Sequence, residues 1–243
     1  MTSSTLNTKH LRELAEQGAQ QLGPDATADE LLQWTASTFG NDFIIAANMQ
    51  DAVLIDVADK AIDESLRGGQ KLKVLFLDTG YHFVETIGTR DAVTQVYDLD
   101  LVNVTPEHTV EEQDELLGKD LFARDPGECC RLRKVVPLKA ALAPYRAWVT
   151  GIRRVEAPTR ANAPLISFDE GFGLVKINPL AAWSDEEFQK YIDANGVLVN
   201  PLVDDGYPSI GCAPCTKKPA PGSDPRSGRW AGSAKTECGL HVS

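Results

Sequence analysis

The five cysteines are the residues of this chain best suited to chemistry, and their spacing divides them four and one. Cys129 and Cys130 are adjacent, Cys212-Ala-Pro-Cys215 is a C-x-x-C pair, and Cys238 stands alone near the end. A C-x-x-C pair by itself serves zinc, iron–sulfur and redox dithiol sites. The tandem pair shifts the balance. Neighbouring thiolates on one tetrahedral zinc strain the peptide between them, whereas a [4Fe–4S] cube offers each its own iron corner, and four thiolates complete it. On spacing alone, zinc and buried unliganded thiols stay as alternatives.

Arg131, Arg133 and Lys134 follow the tandem pair directly. They read either as a solvated helix face or as cations that offset the charge of a four-thiolate site. Pro137 is expected to end or kink the helix that carries them. Cys238 lies in Lys235-Thr-Glu-Cys-Gly-Leu-His241, with a lysine three residues before it and a histidine three after. Such cations lower a thiol pKa and favour the nucleophilic thiolate. Arg226 and Arg229 add fixed positive charge just upstream. A thiolate escorted by arginines suits attack on an anionic electrophile.

These groups need a scaffold, and 243 residues suffice for a sizeable core. Residues 9–38 show helical periodicity, with Leu11, Leu14, Ala15 and Leu22 on one face. Gly18 argues against an unbroken first helix, and Asp25, Thr27 or Asp29 is placed to cap a second. Short apolar strands are expected at 43–47, 73–77, 99–104 and 148–150, with helices at about 50–67 and 82–93. A hairpin is expected around 164–178, and Ser184-Asp-Glu-Glu187 opens a further helix. Alternating strands and helices indicate an α/β fold: a mostly parallel sheet with helices on both faces. Ligands bind beyond the carboxyl ends of such strands, so the loops at 46–51, 78–81 and 150–160 should share one crevice. The expected organisation is a helical segment at 1–39, an α/β nucleotide-binding domain at 40–200 and an irregular tail at 201–243.

The longest apolar run, Phe43 to Ala47, is five residues, far short of a membrane span. The first residues carry no signal-like apolar stretch, so a cytoplasmic protein is expected. Net charge is −11, which argues against nucleic-acid binding. It is uneven: residues 1–130 carry 9 basic against 24 acidic side chains, residues 131–243 carry 15 against 11. An anionic ligand is therefore expected on the second half.

Together these residues resemble the assimilatory adenylyl-sulfate (APS) reductases, thioredoxin-dependent relatives of the phosphoadenylyl-sulfate (PAPS) reductases. The resemblance rests on LDTGYHFVET at 77–86, ECCRLRKVVPL at 128–138, WVTGIRRVEAPTRA at 148–161, KINPLAAWS at 176–184, NPLVDDGYPSIGCAPCT at 200–216 and RSGRWAGSAKTECGLH at 226–241. It implies the adenine-nucleotide α-hydrolase-like fold and one [4Fe–4S] cluster per subunit on Cys129, Cys130, Cys212 and Cys215. It implies Cys238 as nucleophile, with Lys134, Arg226, Arg229 and His241 lining the phosphosulfate site. Leu77, Asp78, Thr79, Gly151 and Arg160 fall at nucleotide-binding positions. The implied reaction converts APS to sulfite and AMP through an S-sulfocysteine, with thioredoxin as reductant and without nucleic acid or membrane; a homo-oligomer is left open. A PAPS reductase, an ATP-pyrophosphatase of the same fold and a non-catalytic iron–sulfur redox sensor are the competing readings.

One stretch departs from the family. Its phosphate loop usually contains serine and glycine, but here it reads Ala46-Ala-Asn-Met-Gln-Asp51. Asn48 is the residue expected to take a left-handed conformation, and the phosphate grip is expected to lean on basic side chains.

Overall fold

The computed structural model describes residues 3–230 together with Lys235, Glu237, Gly239 and Leu240; the side chains of residues 3–7 are not described. Two helices lead, α1 at Ser3–Leu22 and α2 at Ala28–Phe39. Then come β1 at Phe43–Ala47, α3 at Val53–Ala61, α4 at Glu64–Arg67, β2 at Leu72–Leu77, α5 at Val84–Val96 and β3 at Leu99–Val104. Short helices α6 at Val110–Leu117 and α7 at Leu121–Arg124 precede α8 at Pro126–Cys130 and α9 at Val136–Leu142. Strands β4 at Ala147–Thr150, β5 at Ile166–Asp169 and β6 at Leu174–Ile177 complete the sheet, and α10 spans Asp185–Asn195.

The sheet order is β3-β2-β1-β4-β6-β5, with every pair parallel except the hairpin β5–β6. Strand alternation sends side chains to two cores. Phe43, Ile45, Val74, Phe76, Ala147 and Val149 face the larger one, with α1, α2 and α3. Ile44, Leu75 and Trp148 face the smaller one, against Leu138 and Leu142 of α9. Among the described residues no helix is long and apolar enough to cross a membrane.

Several local expectations hold because their physics is local. Thr27 caps α2 and Ser184 caps α10, each in a reciprocal box with a glutamate three residues on. The helix expected at 50–67 divides at Ile62, where Asp63 caps a new turn by accepting the Leu66 N–H at 2.9 Å.

One expectation is corrected and one is narrowed. The first helix runs unbroken through Gly18 because the glycine is a packing device: a Cβ there would stand 2.3 Å from Trp34 Cζ2. Pro137 does not end its helix. Residues Arg131–Val135 form a π-turn joining α8 to α9, in which the Val136 N–H donates to Arg131 C=O. Proline has no N–H and crowds the carbonyl four residues back. The wider π-turn makes room for the ring, and such single turns gather at functional sites.

The loop after β1 is bound to the chain near residue 200. Ala52 N–H donates to Leu198 C=O at 2.9 Å, and Asn200 N–H to Gln50 C=O at 2.9 Å. The left-handed residue is the buried Met49, with φ 60°, and not Asn48, whose side chain accepts the Gln50 N–H at 3.0 Å. Asp51 accepts the Val53 N–H at 3.0 Å and so opens α3. Burial pushes the Asp51 carboxyl up to about 6, with a smaller push from Glu156 and opposition from Val53 and Arg153.

Two outcomes follow from this packing. Gly18→Ala, which would stabilise an exposed helix, should here destabilise the protein by about 1–3 kcal/mol through overpacking on Trp34, read by urea unfolding. Because the folded Asp51 pKa lies above the unfolded one, its carboxylate weakens the fold progressively as pH rises from the ordinary carboxyl value through about 6. Asp51→Asn should therefore raise Tm at pH 7.5 and show little difference from the parent near pH 4. An equal Tm gain at both pH values would contradict this account.

Candidate active site

Between β1 and β4 the chain order reverses, and the crevice beyond their carboxyl ends holds a cavity of about 440 Å³. Its walls come from the three expected loops. Ala46–Asp51 contributes five residues, the end of β2 contributes Leu77 and Thr79, and the segment after β4 contributes Gly151 and Arg160. Lys134, Arg226 and Arg229 line the same cavity, so seven of the residues named from sequence meet there. Asp78 does not line it. Its carboxylate accepts the Gly80 N–H at 3.0 Å and pairs with Arg90 at 3.4 Å, which stiffens the turn after β2. Cys238 and His241 lie outside the described residues.

The loop after β1 does not present its amides to a ligand in the manner of a glycine-rich phosphate loop. The N–H groups of Gln50, Ala52 and Val53 already donate to Asn48, Leu198 and Asp51. Cationic side chains line the same cavity. Arg229 lies over Gly211, where a Cβ would stand 2.1 Å from its Nη2, and donates to Ser209 Oγ and Ile210 C=O, each at 3.2 Å. The wall also carries the carboxylates of Asp51, Glu156 and Asp185, the last two paired with Arg160 and Arg153.

All four paired cysteines line a second, smaller cavity, together with Tyr81, Arg133, Lys134 and Trp230. Cys129, Cys130 and Cys212 are buried. The tertiary contacts that join the two pairs run through the loop after β2. Arg133 Nε donates to Thr79 C=O at 2.5 Å, Thr79 Oγ1 lies 3.3 Å from Cys212 Sγ, and Ala213 N–H donates to Tyr81 C=O at 2.7 Å. Cys215 C=O accepts the N–H of Trp230, which sits in the left-handed region at φ 49°. Of the cations beside the tandem pair, Arg131 is the solvated one, paired with Glu128. Arg133 is buried, and Lys134 lines both cavities.

Burial and the neighbouring sulfurs push the Cys129 thiol up to about 12 and Cys215 to about 11. Among the described residues no three His, Cys, Asp or Glu side chains are set to grip one metal ion between them; the four cysteines share the wall of a cavity instead. Thiols that oppose one another's ionisation at close quarters suit a multiply charged cationic centre, which stabilises thiolates. The donor set therefore fits a cluster.

Sequence reasoning did not single out Glu156 or Glu237. Arg160 donates to Glu237 through Nε at 3.0 Å and Nη2 at 3.1 Å, and to Glu156 through Nη1 at 2.6 Å. Arg226 Nη2 reaches the same Glu237 carboxylate at 3.2 Å. The signal was present only as acidic residues three or four places from an arginine or next to Cys238.

Comparison with known proteins agrees with this geometry. The phosphoadenosine phosphosulfate reductase domain matches residues 43–218. A protein of Mycolicibacterium smegmatis named adenosine 5'-phosphosulfate reductase is 72% identical over 100% of both chains. One of the same name from Mycobacterium tuberculosis is 62% identical over 99% of this chain and 98% of its own. Among solved structures, the phosphoadenylyl-sulfate reductase of Candida auris in its phosphate complex has a TM-score of 0.67 at 26% identity, covering 89% of this chain and 99% of that one. The FMN adenylyltransferase of Candida glabrata, at 14% identity and a TM-score of 0.56 over 90% of this chain and 77% of its own, shares the fold. A domain match across most of the chain, with relatives this similar along its whole length, means that the chain belongs to the phosphoadenosine phosphosulfate reductase family.

Proposed function

We propose that this protein reduces adenosine 5'-phosphosulfate to sulfite and AMP, with thioredoxin as electron donor, in assimilatory sulfate reduction toward cysteine. The observation that carries the reading is Lys134, whose side chain lines both the nucleotide-sized cleft and the four-cysteine cavity. The names of the relatives support APS over PAPS as substrate. Cys129, Cys130, Cys212 and Cys215 form no disulfide, which suits a reducing, cytoplasmic setting.

The adenosine would lie along Leu77, Thr79 and Gly151, and the phosphosulfate toward Lys134, Arg226 and Arg229. Guanidinium forks bind sulfate and phosphate oxygens in bidentate fashion. They also cancel the field that repels a thiolate from an anion. Cys238, its proton released to solvent or to His241, attacks the sulfate sulfur. The S–O bond to the phosphate breaks and AMP leaves with that electron pair, so a sulfonate is left on Cys238. A thioredoxin thiolate then attacks Cys238 Sγ. Sulfite leaves with the S–S electron pair, and the second thioredoxin thiol frees Cys238 as thioredoxin becomes a disulfide. Cys129, Cys130, Cys212 and Cys215 would hold one [4Fe–4S] cluster. When bound, that cluster supplies fixed charge and cross-links the tail to the sheet; both electrons come from thioredoxin.

The test is incubation with APS alone, then intact mass, alongside turnover of APS and PAPS by one preparation purified without air. A sulfonate on Cys238 supports the reductase; its absence supports a non-catalytic iron–sulfur protein, and preferred turnover of PAPS supports the sister activity. Cys238→Ser should abolish both adduct and sulfite formation, because a serine hydroxyl is neutral at pH 7. It should keep about four irons and four sulfides per chain, since four other cysteines complete a cube. Lost iron would make Cys238 a ligand. Lys134→Ala should lower kcat/KM for APS by about 10²-fold or more, where a merely solvated lysine would change stability or rate by only about 0.5 kcal/mol.

A further inference from the structure

Glu237 is the residue before the proposed nucleophile, and its carboxylate is among the most heavily bonded in the molecule. It takes two hydrogen bonds from Arg160, one from Arg226 and one from Thr159 Oγ1 at 3.2 Å. The side chains of Glu237 and Arg160 are each only 10% exposed, and that of Arg226 16%. Burial pushes the Glu237 carboxyl up, but the two arginines and Thr159 outweigh it and hold the carboxyl below its ordinary value.

The geometry points to Glu237 as a positioning residue: its clasp on Arg160 and Arg226 anchors the chain immediately before the proposed nucleophile at the wall of the cleft. Consecutive Cα atoms are about 3.8 Å apart, so anchoring residue 237 confines its neighbour. The segment is held on the far side too. Leu240 lines the cleft and packs against the smaller core, and Gly239 lies beside Val135, whose Cγ2 is 3.8 Å from where a Cβ would be. Glu237 thus supplies an ion-paired anchor and Leu240 an apolar one.

The charge pattern favours an anchor over an anion standing in the substrate's place. Arg160 is shared between Glu156 and Glu237, and Arg226 reaches the same carboxylate, so two cations face two anions. Lys134 and Arg229 line the cleft wall beside Arg226, whose charge the clasp only partly offsets, and Glu156 is also 3.8 Å from Arg153. Glu237 therefore acts through Cys238, without touching the reacting sulfur.

This proposal rests on Cys238 as nucleophile, and one experiment separates the two. Parent protein and Glu237→Gln are mixed with saturating APS without thioredoxin, and sulfonate formation on Cys238 is timed by intact mass. AMP affinity is measured on both by calorimetry. The expected result is sulfonation slowed about tenfold or more in the variant, with AMP bound no more weakly than by the parent and the variant still folded by circular dichroism, though with a lower Tm because two part-buried arginines lose a charged partner. Glu237→Asp, which keeps the charge, should recover part of the rate. Unchanged sulfonation in Glu237→Gln would overturn the positioning role. Tighter AMP binding with sulfonation undiminished would also overturn it, because Glu237 would then be an occupant of the anion site. No adduct on the parent protein would instead overturn the reading of Cys238 itself.

Discussion

The buried guanidinium of Arg133 is the interaction on which the site depends. It is 3% exposed and lies at the π-turn next to the tandem cysteines. Its donors reach Thr79 C=O, Gln113 Oε1, His108 C=O and Thr109 C=O, and its plane lies 5.2 Å from the Tyr81 ring centre. Hydrogen bonds to a charged group are worth about 1.5–3 kcal/mol each, and a buried charge deprived of them is costly. The helix carrying Cys129 and Cys130 is thereby tied to the loop after β2. The same loop accepts Ala213 N–H and places Thr79 beside Cys212, so one short turn joins two cysteine pairs far apart in the chain.

That turn also belongs to the nucleotide cleft. Leu77 and Thr79 face the cavity while Tyr81 faces the cysteines. A displacement at the cysteines would reach the cleft through backbone only a few residues long. Lys134 and Trp230 couple the two cavities directly, and Trp230 keeps an uncommon left-handed backbone at that junction.

The loop after β1 shows how one family solution can be rebuilt. Its amides are satisfied by Asn48, Asp51 and Leu198, and Gln50 binds Pro208 C=O and Ile210 N–H with its side chain. The loop serves to staple the 198–210 segment against the sheet. The cationic side chains of the cleft, Lys134, Arg153, Arg160, Arg226 and Arg229, are carried by the later part of the chain, where the excess of positive charge resides.

The strands, the caps and the two cysteine pairs were legible in the sequence, because each rests on residues within a few positions of one another. Alternation marks a strand, a Thr or Ser with glutamate three places on marks a helix start, and the structure sets both cysteine pairs on one cavity wall. The convergence of three loops was legible as well, since it follows from parallel topology. Gly18 was misread because its reason is Trp34 on another helix, and at Pro137 the choice between an end and a distortion of the helix stayed open because a π-turn depends on how its helix is held from outside. Met49 rather than Asn48 carries the positive φ because bonds to residues 198–200 fix that loop. Glu237 and Arg133 emerge only in three dimensions. A charge becomes a clasp or a keystone when the fold buries it beside partners dozens of residues away, and spacing along the chain does not encode that neighbourhood.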